Sequence, residues 1–327
     1  MRVHVKLKHN SSMNLSILTL FTLISTAWSS HMTVVRQDIS RTGFIEALEL
    51  NHGKTVLISN LTVTFDWPYV EITSDITHNE VYMVVFPDNS PGPELYQLDG
   101  TLAVKNKWDS IDFSFFDLQH SSTQNTLYGI LVTSTYGRVL SNFSLTEDSI
   151  VPTELFTLPY MWYVNASTFH QSTCRYFALI NNFPGFENST LDQQLVVADF
   201  SKEGTTDADV VPITGTSSLI QFISFSSALE TLYCAGTTDS GSPTAHVYTL
   251  GLDGVISNRL FSTPGIAVGP LLASDSTDEL FLFVKNTNEP AQWSLWAIPY
   301  DKSKGAYLKM MYLGDEYVSF SAASMMV

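Results

Sequence analysis

The chain has 327 residues, with 32 acidic against 16 basic side chains and a formal net charge of −16. With 44 % hydrophobic and 15 % charged residues it can fill a sizeable core and is too apolar for a disordered chain. A surface this acidic argues against nucleic acid and anionic membranes as partners.

Residues 1–29 stand apart. Arg2, Lys6 and Lys8 precede the uncharged apolar run Leu15–Ala27, and Ala27-Trp-Ser29 offers small residues for a cleavage site. That is the layout of a secretory signal peptide, starting at Met1 or Met13, and its apolar run is short of the roughly 20 residues of a membrane span. The mature chain, 30–327, is then expected to be a single secreted, extracellular domain with no membrane segment. Removing residues 1–29 takes away bases and no acid, so that domain is more acidic still.

Three strands are predicted next, at Met32–Val35, Phe44–Leu50 and Val56–Phe65. A first complete unit of four strands runs from Trp67 to Trp108, over Tyr69–Ser74, Val81–Phe86, Leu95–Leu98 and Leu102–Asn106, with Asp99-Gly100 read as a type I′ turn. Further units follow at 109–158, 159–214, 215–263 and 264–313, and Asp253-Gly254 repeats the turn signal in the fourth. Tyr317–Ser324 reads as one more first strand.

The repeat is clearest at the second strand of each unit. Glu80–Val85, Asn125–Val132, Cys174–Leu179, Glu230–Ala235 and Glu279–Val284 each carry an aromatic near the start (Tyr82, Tyr128, Tyr176, Tyr233, Phe281), followed by apolar residues. These aromatics are expected in the core, with Leu232 and Leu280 beside them. A period of about 40–50 residues with several short strands per unit points to propeller blades. The reading is all-β: a six-bladed β-propeller, closed by three N-terminal strands pairing with a C-terminal strand.

Function is less legible. In propellers the segment entering each first strand lies on the face most used for ligands. Here those segments are 66–69, 108–112, 160–165, 217–221, 267–270 and 314–317. Trp67, Tyr69, Trp108, Asp109, Trp162, Glu316 and Tyr317 are the candidate binding residues, because aromatic faces with carboxylates suit sugars, peptides and cationic groups. Glu71, Asp112 and Glu316 lie near first-strand starts and are an alternative calcium set. In placement alone this resembles the calcium-dependent propeller hydrolases of the lactonase and gluconolactonase type, which implies a calcium-dependent hydrolase. No nucleophile elbow, zinc-protease motif, phosphate loop or dinucleotide fingerprint occurs. His78, His120 and His170 read as turn or surface residues.

Asn60, Asn142, Asn165 and Asn188 head N-glycosylation sequons. Cys174 and Cys234 are the two cysteines; in an oxidising compartment they are a candidate disulfide between neighbouring blades, with free buried thiols as the alternative. The leading expectation is a recognition module for an extracellular protein or carbohydrate, with no cofactor. A calcium-dependent hydrolase or lactonase and a structural coat or matrix protein are the alternatives.

Overall fold

The structure is a computed structural model that describes residues 31–37, 43–49, 54–59, 71–75, 77–87, 92–109, 111–133, 137–158, 162–182, 193–201, 207–238, 241–287, 292–313 and 319–325. The signal peptide expected at 1–29 lies outside them. Among the described residues no helix is long and apolar enough to cross a membrane.

The strands in chain order are β1 (His31–Gln37), β2 (Gly43–Glu49), β3 (Lys54–Ser59), β4 (Glu71–Asp75), β5 (Glu80–Val85), β6 (Glu94–Leu98), β7 (Val104–Trp108), β8 (Ser114–Ser121), β9 (Thr126–Val132), β10 (Arg138–Leu145), β11 (Ile150–Thr157) and β12 (Trp162–His170). They continue as β13 (Arg175–Asn182), β14 (Gln193–Asp199), β15 (Asp207–Pro212), β16 (Leu219–Ser226), β17 (Thr231–Thr238), β18 (Thr244–Leu250), β19 (Ile256–Pro264), β20 (Ile266–Ser274), β21 (Glu279–Lys285), β22 (Gln292–Pro299), β23 (Tyr307–Leu313) and β24 (Ser319–Met325). Five antiparallel sheets are contiguous stretches of chain, β4–β7, β8–β11, β12–β15, β16–β19 and β20–β23, here blades 1 to 5. A further four-stranded sheet is composite: β24 pairs with β1, from Gln37 opposite Ser319 to His31 opposite Met325, and β2 and β3 follow. First strands pack on first strands, β4 on β8, β8 on β12, β12 on β16 and β16 on β20, while β24 packs against both β20 and β4. The fold is a β-propeller.

The second strand of each blade explains the repeated apolar run. Side chains alternate across a strand, and here both faces are buried between neighbouring sheets. In β13, Tyr176, Ala178 and Ile180 pack toward blade 2, with Tyr128, Ile130 and Leu140. Phe177 and Leu179, on the other face, pack toward blade 4, with Ile220, Ile223 and Leu232. In β17, Leu232 and Cys234 face blade 3 while Tyr233 and Ala235 face blade 5. The five repeated aromatics are all buried, and rings stack across blades, as Tyr128 does on Phe169 and Tyr233 on Tyr300.

This alternation also separates the cysteines. Cys174 belongs to the layer between blades 2 and 3, Cys234 to the layer between blades 3 and 4, so the third blade stands between them. Both are free and buried, which corrects the expected disulfide. Burial pushes both thiols up from their ordinary value.

Each first-to-second-strand hairpin ends on a non-glycine residue in the left-handed region: Asn79, Asn125, Cys174, Glu230 and Asp278, with φ of 54°, 50°, 51°, 47° and 55°. Four residues earlier stands a buried polar residue, Asp75, Ser121, His170, Ser226 or Ser274. The Asp75 carboxylate accepts the N–H groups of Thr77 and His78, and Ser226 Oγ accepts that of Leu229, so these side chains close the turns.

Two expectations shift. At Asp99-Gly100 the left-handed residue is Leu102, φ 61°, and Asp99 Oδ1 accepts from Thr101 N and Ala103 N, so the turn is longer than type I′ and β7 starts at Val104. A Cβ at Gly100 would stand 2.0 Å from Asn79 Nδ2, so any larger residue there requires the Asn79 side chain to move. His120 and His170 are buried rather than on the surface.

Candidate functional site

First strands lie at the inner edge of their sheets, so their outward N–H groups lack a partner within the blade. Side chains from the preceding blade supply the acceptors. Thr73 Oγ1 accepts from His120 N at 3.1 Å, Thr168 Oγ1 from Phe225 N at 3.3 Å, and Ser224 Oγ from Ala273 N at 2.8 Å. Gln193 clamps the peptide of Ile220 from both sides, accepting its N–H at 2.8 Å and donating to its carbonyl at 2.7 Å. The blades are thus joined by hydrogen bonds as well as by apolar layers.

Glu71 is one of these joints. Its Oε2 accepts from Leu118 N at 3.1 Å, two residues along from the Thr73 bond and in the same sense. Beside it β8 bulges between Phe116 and Gln119, and Asp117 sits in the bulge at φ 55°. The Asp117 carbonyl accepts from Tyr176 Oη at 3.0 Å and Ser167 Oγ at 2.9 Å. Its side chain is buried, and Oδ2 has no hydrogen-bond partner. Burial and the neighbouring Glu71 charge hold the Asp117 carboxyl well above the usual carboxylate range. Sequence reasoning picked out Glu71 and missed Asp117. A lone acid flanked by Phe116 and Leu118 in a strand was the available signal.

A second polar group joins the same blades at the hairpin end. Asp75 Oδ2 lies 2.6 Å from His78 Nδ1 and 3.6 Å from His120 Nε2, while Ser122 Oγ donates to Asp75 Oδ1 at 3.0 Å. Burial opposes ionisation of Asp75, but the bonds from His78 and Ser122 and the nearby His120 outweigh it and keep the carboxyl below its ordinary value. Burial drives His120 below the usual imidazole value. Its ring stacks on Tyr82 at 5.3 Å.

The predicted binding residues divide into three groups. Trp67, Tyr69, Glu316 and Tyr317 lie outside the described residues, as do Asn60 and Asn188. Trp162 opens β12 and Asn165 falls at its bulge, between Val164 and Ala166; nothing is described of either side chain. Trp108, Asp109 and Asp112 are described. Trp108 does not offer a stacking face: it is buried against blade 2, and its Nε1 donates to the Thr146 carbonyl at 2.7 Å. Asp109 and Asp112 are exposed at the entrance to β8; Asp109 Oδ2 lies 3.5 Å from Lys107 Nζ. Asn142 lies inside the sheet, opposite Tyr128 and Thr153, with Oδ1 buried and unpartnered. In the calcium set, Glu71 is bound to a backbone N–H whereas Asp112 is exposed. Among the described residues no three His, Cys, Asp or Glu side chains are grouped so as to hold a metal ion.

No protein-family model matches the chain, and no curated protein matches it. Solved structures do. TolB from Acinetobacter baumannii is 10 % identical with a TM-score of 0.59, over 96 % of this chain and 71 % of that one. The periplasmic gluconolactonase PpgL of Pseudomonas aeruginosa is 9 % identical with a TM-score of 0.55, over 90 % and 98 %. A chain of the nidogen/laminin complex is 9 % identical with a TM-score of 0.59, over 89 % and 98 %. At these identities the likeness is one of fold, and it supports the propeller.

Proposed function

We propose that the chain is an extracellular recognition module that binds a protein or carbohydrate. In this reading it is a six-bladed ring, with the composite β24-β1-β2-β3 sheet as the closing blade, exported by the 1–29 signal and N-glycosylated. The pairing of β1 with β24, and the packing of β24 on both β20 and β4, support closure. The observation that carries the binding role is the exposed acid pair Asp109 and Asp112 at the entrance to blade 2, beside a Trp108 held by Thr146. A nidogen/laminin chain and a periplasmic enzyme share this fold, which agrees with a place outside the cytoplasm.

The test is a panel of extracellular proteins and glycans presented to the secreted chain and to an Asp109→Ala, Asp112→Ala double variant. Retention of one ligand class by the wild type, weakened by the variant, is the expected outcome. Retention of a ligand unchanged by the variant would move the site elsewhere. Bound calcium with turnover of a lactone would replace recognition by catalysis.

A further inference from the structure

Asp75 serves two imidazoles from two blades. It ends β4 in blade 1, and its Oδ2 lies 2.6 Å from Nδ1 of His78 in the following turn and 3.6 Å from Nε2 of His120 in blade 2. Its Oδ1 accepts from Thr77 N, His78 N and Ser122 Oγ. One carboxylate therefore closes the first hairpin of blade 1 and ties it to the equivalent hairpin of blade 2. The Asp75 and His120 side chains are 1 % and 2 % exposed, whereas the His78 side chain is 53 % exposed. Water can share a charge on His78 and cannot share one on His120. With Asp75 ionised, the group is neutral with one imidazolium and positive with two, and the buried ring then holds a charge against its surroundings.

The strands packed on β4 and β8 are β5, β24, β9 and β12. On β5, Glu80 pairs with Lys105 and Gln97, and Tyr82 stacks on His120. Glu71 lies at the other end of β4, where it accepts from Leu118 N, and Asp117 sits in the β8 bulge. Tyr128 of β9 donates to Gln124, and His170 of β12 bonds Ser172 and Thr173. Tyr163 of β12 is outside the described side chains, and β24 has no titratable side chain. We propose that Asp75 is a proton-gated latch between blades 1 and 2, holding with one charged imidazole and loosening when acid places a charge on His120 as well. Burial drives His120 below the usual imidazole value, with His78 adding to the shift and Asp75 and Glu80 opposing it. A lowered native value means that the unfolded chain binds the proton more tightly. The stability held by neutral His120 is complete above its ordinary value of 6.5 and is lost as pH falls toward the native value. His170 and His246 are also held below 6.5, so the wild-type profile alone mixes three rings.

The difference between His120→Gln and wild type isolates the latch. Unfolding equilibria are measured from about pH 8 down to about pH 5. As pH falls below 6.5 the variant should gain on the wild type by up to about tenfold in folding equilibrium per pH unit, on top of a constant offset for the lost stacking on Tyr82. A difference that stays constant with pH would overturn the proposal. The second measurement is the native titration of the His120 ring by nuclear magnetic resonance with labelled histidine. Its midpoint should lie below 6.5, rise in His78→Gln, which removes the competing charge, and fall in Asp75→Asn, which removes the attracting one. A midpoint at or above 6.5, or one that His78→Gln leaves in place, would overturn the proposal. His78 is exposed, so this variant decides even if His120→Gln and Asp75→Asn fail to fold.

Discussion

Thr73→Val tests whether hydrogen bonds between first strands hold the blades together. Thr73 is buried, and its hydroxyl accepts the N–H of His120 at 3.1 Å. Valine keeps the shape and removes the acceptor, so no cavity term enters. What remains is a buried N–H without a partner, at a cost of about 1–3 kcal/mol. With a urea m-value of about 3 kcal/mol/M, the unfolding midpoint should fall by roughly 0.3–1 M at constant m. Thr168→Val removes a longer, less buried bond at another joint, and should cost less. The two joints share no partner, so the double variant should be additive within about 0.5 kcal/mol. An unchanged or raised midpoint for Thr73→Val would refute the reasoning and leave apolar packing as the whole of the interblade contact.

Leu280→Ala, at a fully buried site in the layer between blades 4 and 5, should cost about 2–5 kcal/mol by equilibrium unfolding. Gly236→Ala should be worse tolerated than its size implies: the added Cβ would stand 2.2 Å from the Leu219 carbonyl and 2.9 Å from Ile220 Cα, both backbone, and a soluble variant with unchanged melting would contradict the close approach. Thiol titration should find no reactive cysteine in the native chain and two after unfolding without reductant, since Cys174 and Cys234 are both free and buried. Fewer than two labels per chain on alkylation of the unfolded chain without reductant, rising to two only after reduction, would contradict that.

The blade pattern was legible because each second strand is buried on both faces, so its apolar run is continuous and repeats. Turn residues at regular spacing then marked the hairpins. Reasoning failed where tertiary contact decided a side chain's fate. Trp108 looked like an entry-loop aromatic, yet it ends β7 and packs against blade 2. The cysteines fell on similar strands of neighbouring repeats, but strand alternation and the αL turn at Cys174 send them into different layers. Asp75 and Asp117 gave no motif, because what distinguishes them is burial beside His120 and Glu71, and the sequence does not state burial.

The hairpins bear on how this chain can vary. At the turn before each second strand the dihedral angle is held within a few degrees of +50°, while the residue there is Asn, Asn, Cys, Glu or Asp. A left-handed conformation costs a non-glycine residue about 1–2 kcal/mol, and Asn and Asp bear it best. What repeats from blade to blade at this point is an angle rather than a letter. Substitutions can accumulate there without breaking the fold, and each erodes the visible periodicity while leaving the geometry that produced it. A propeller of this kind can diverge until its units are recognisable to one another only in three dimensions.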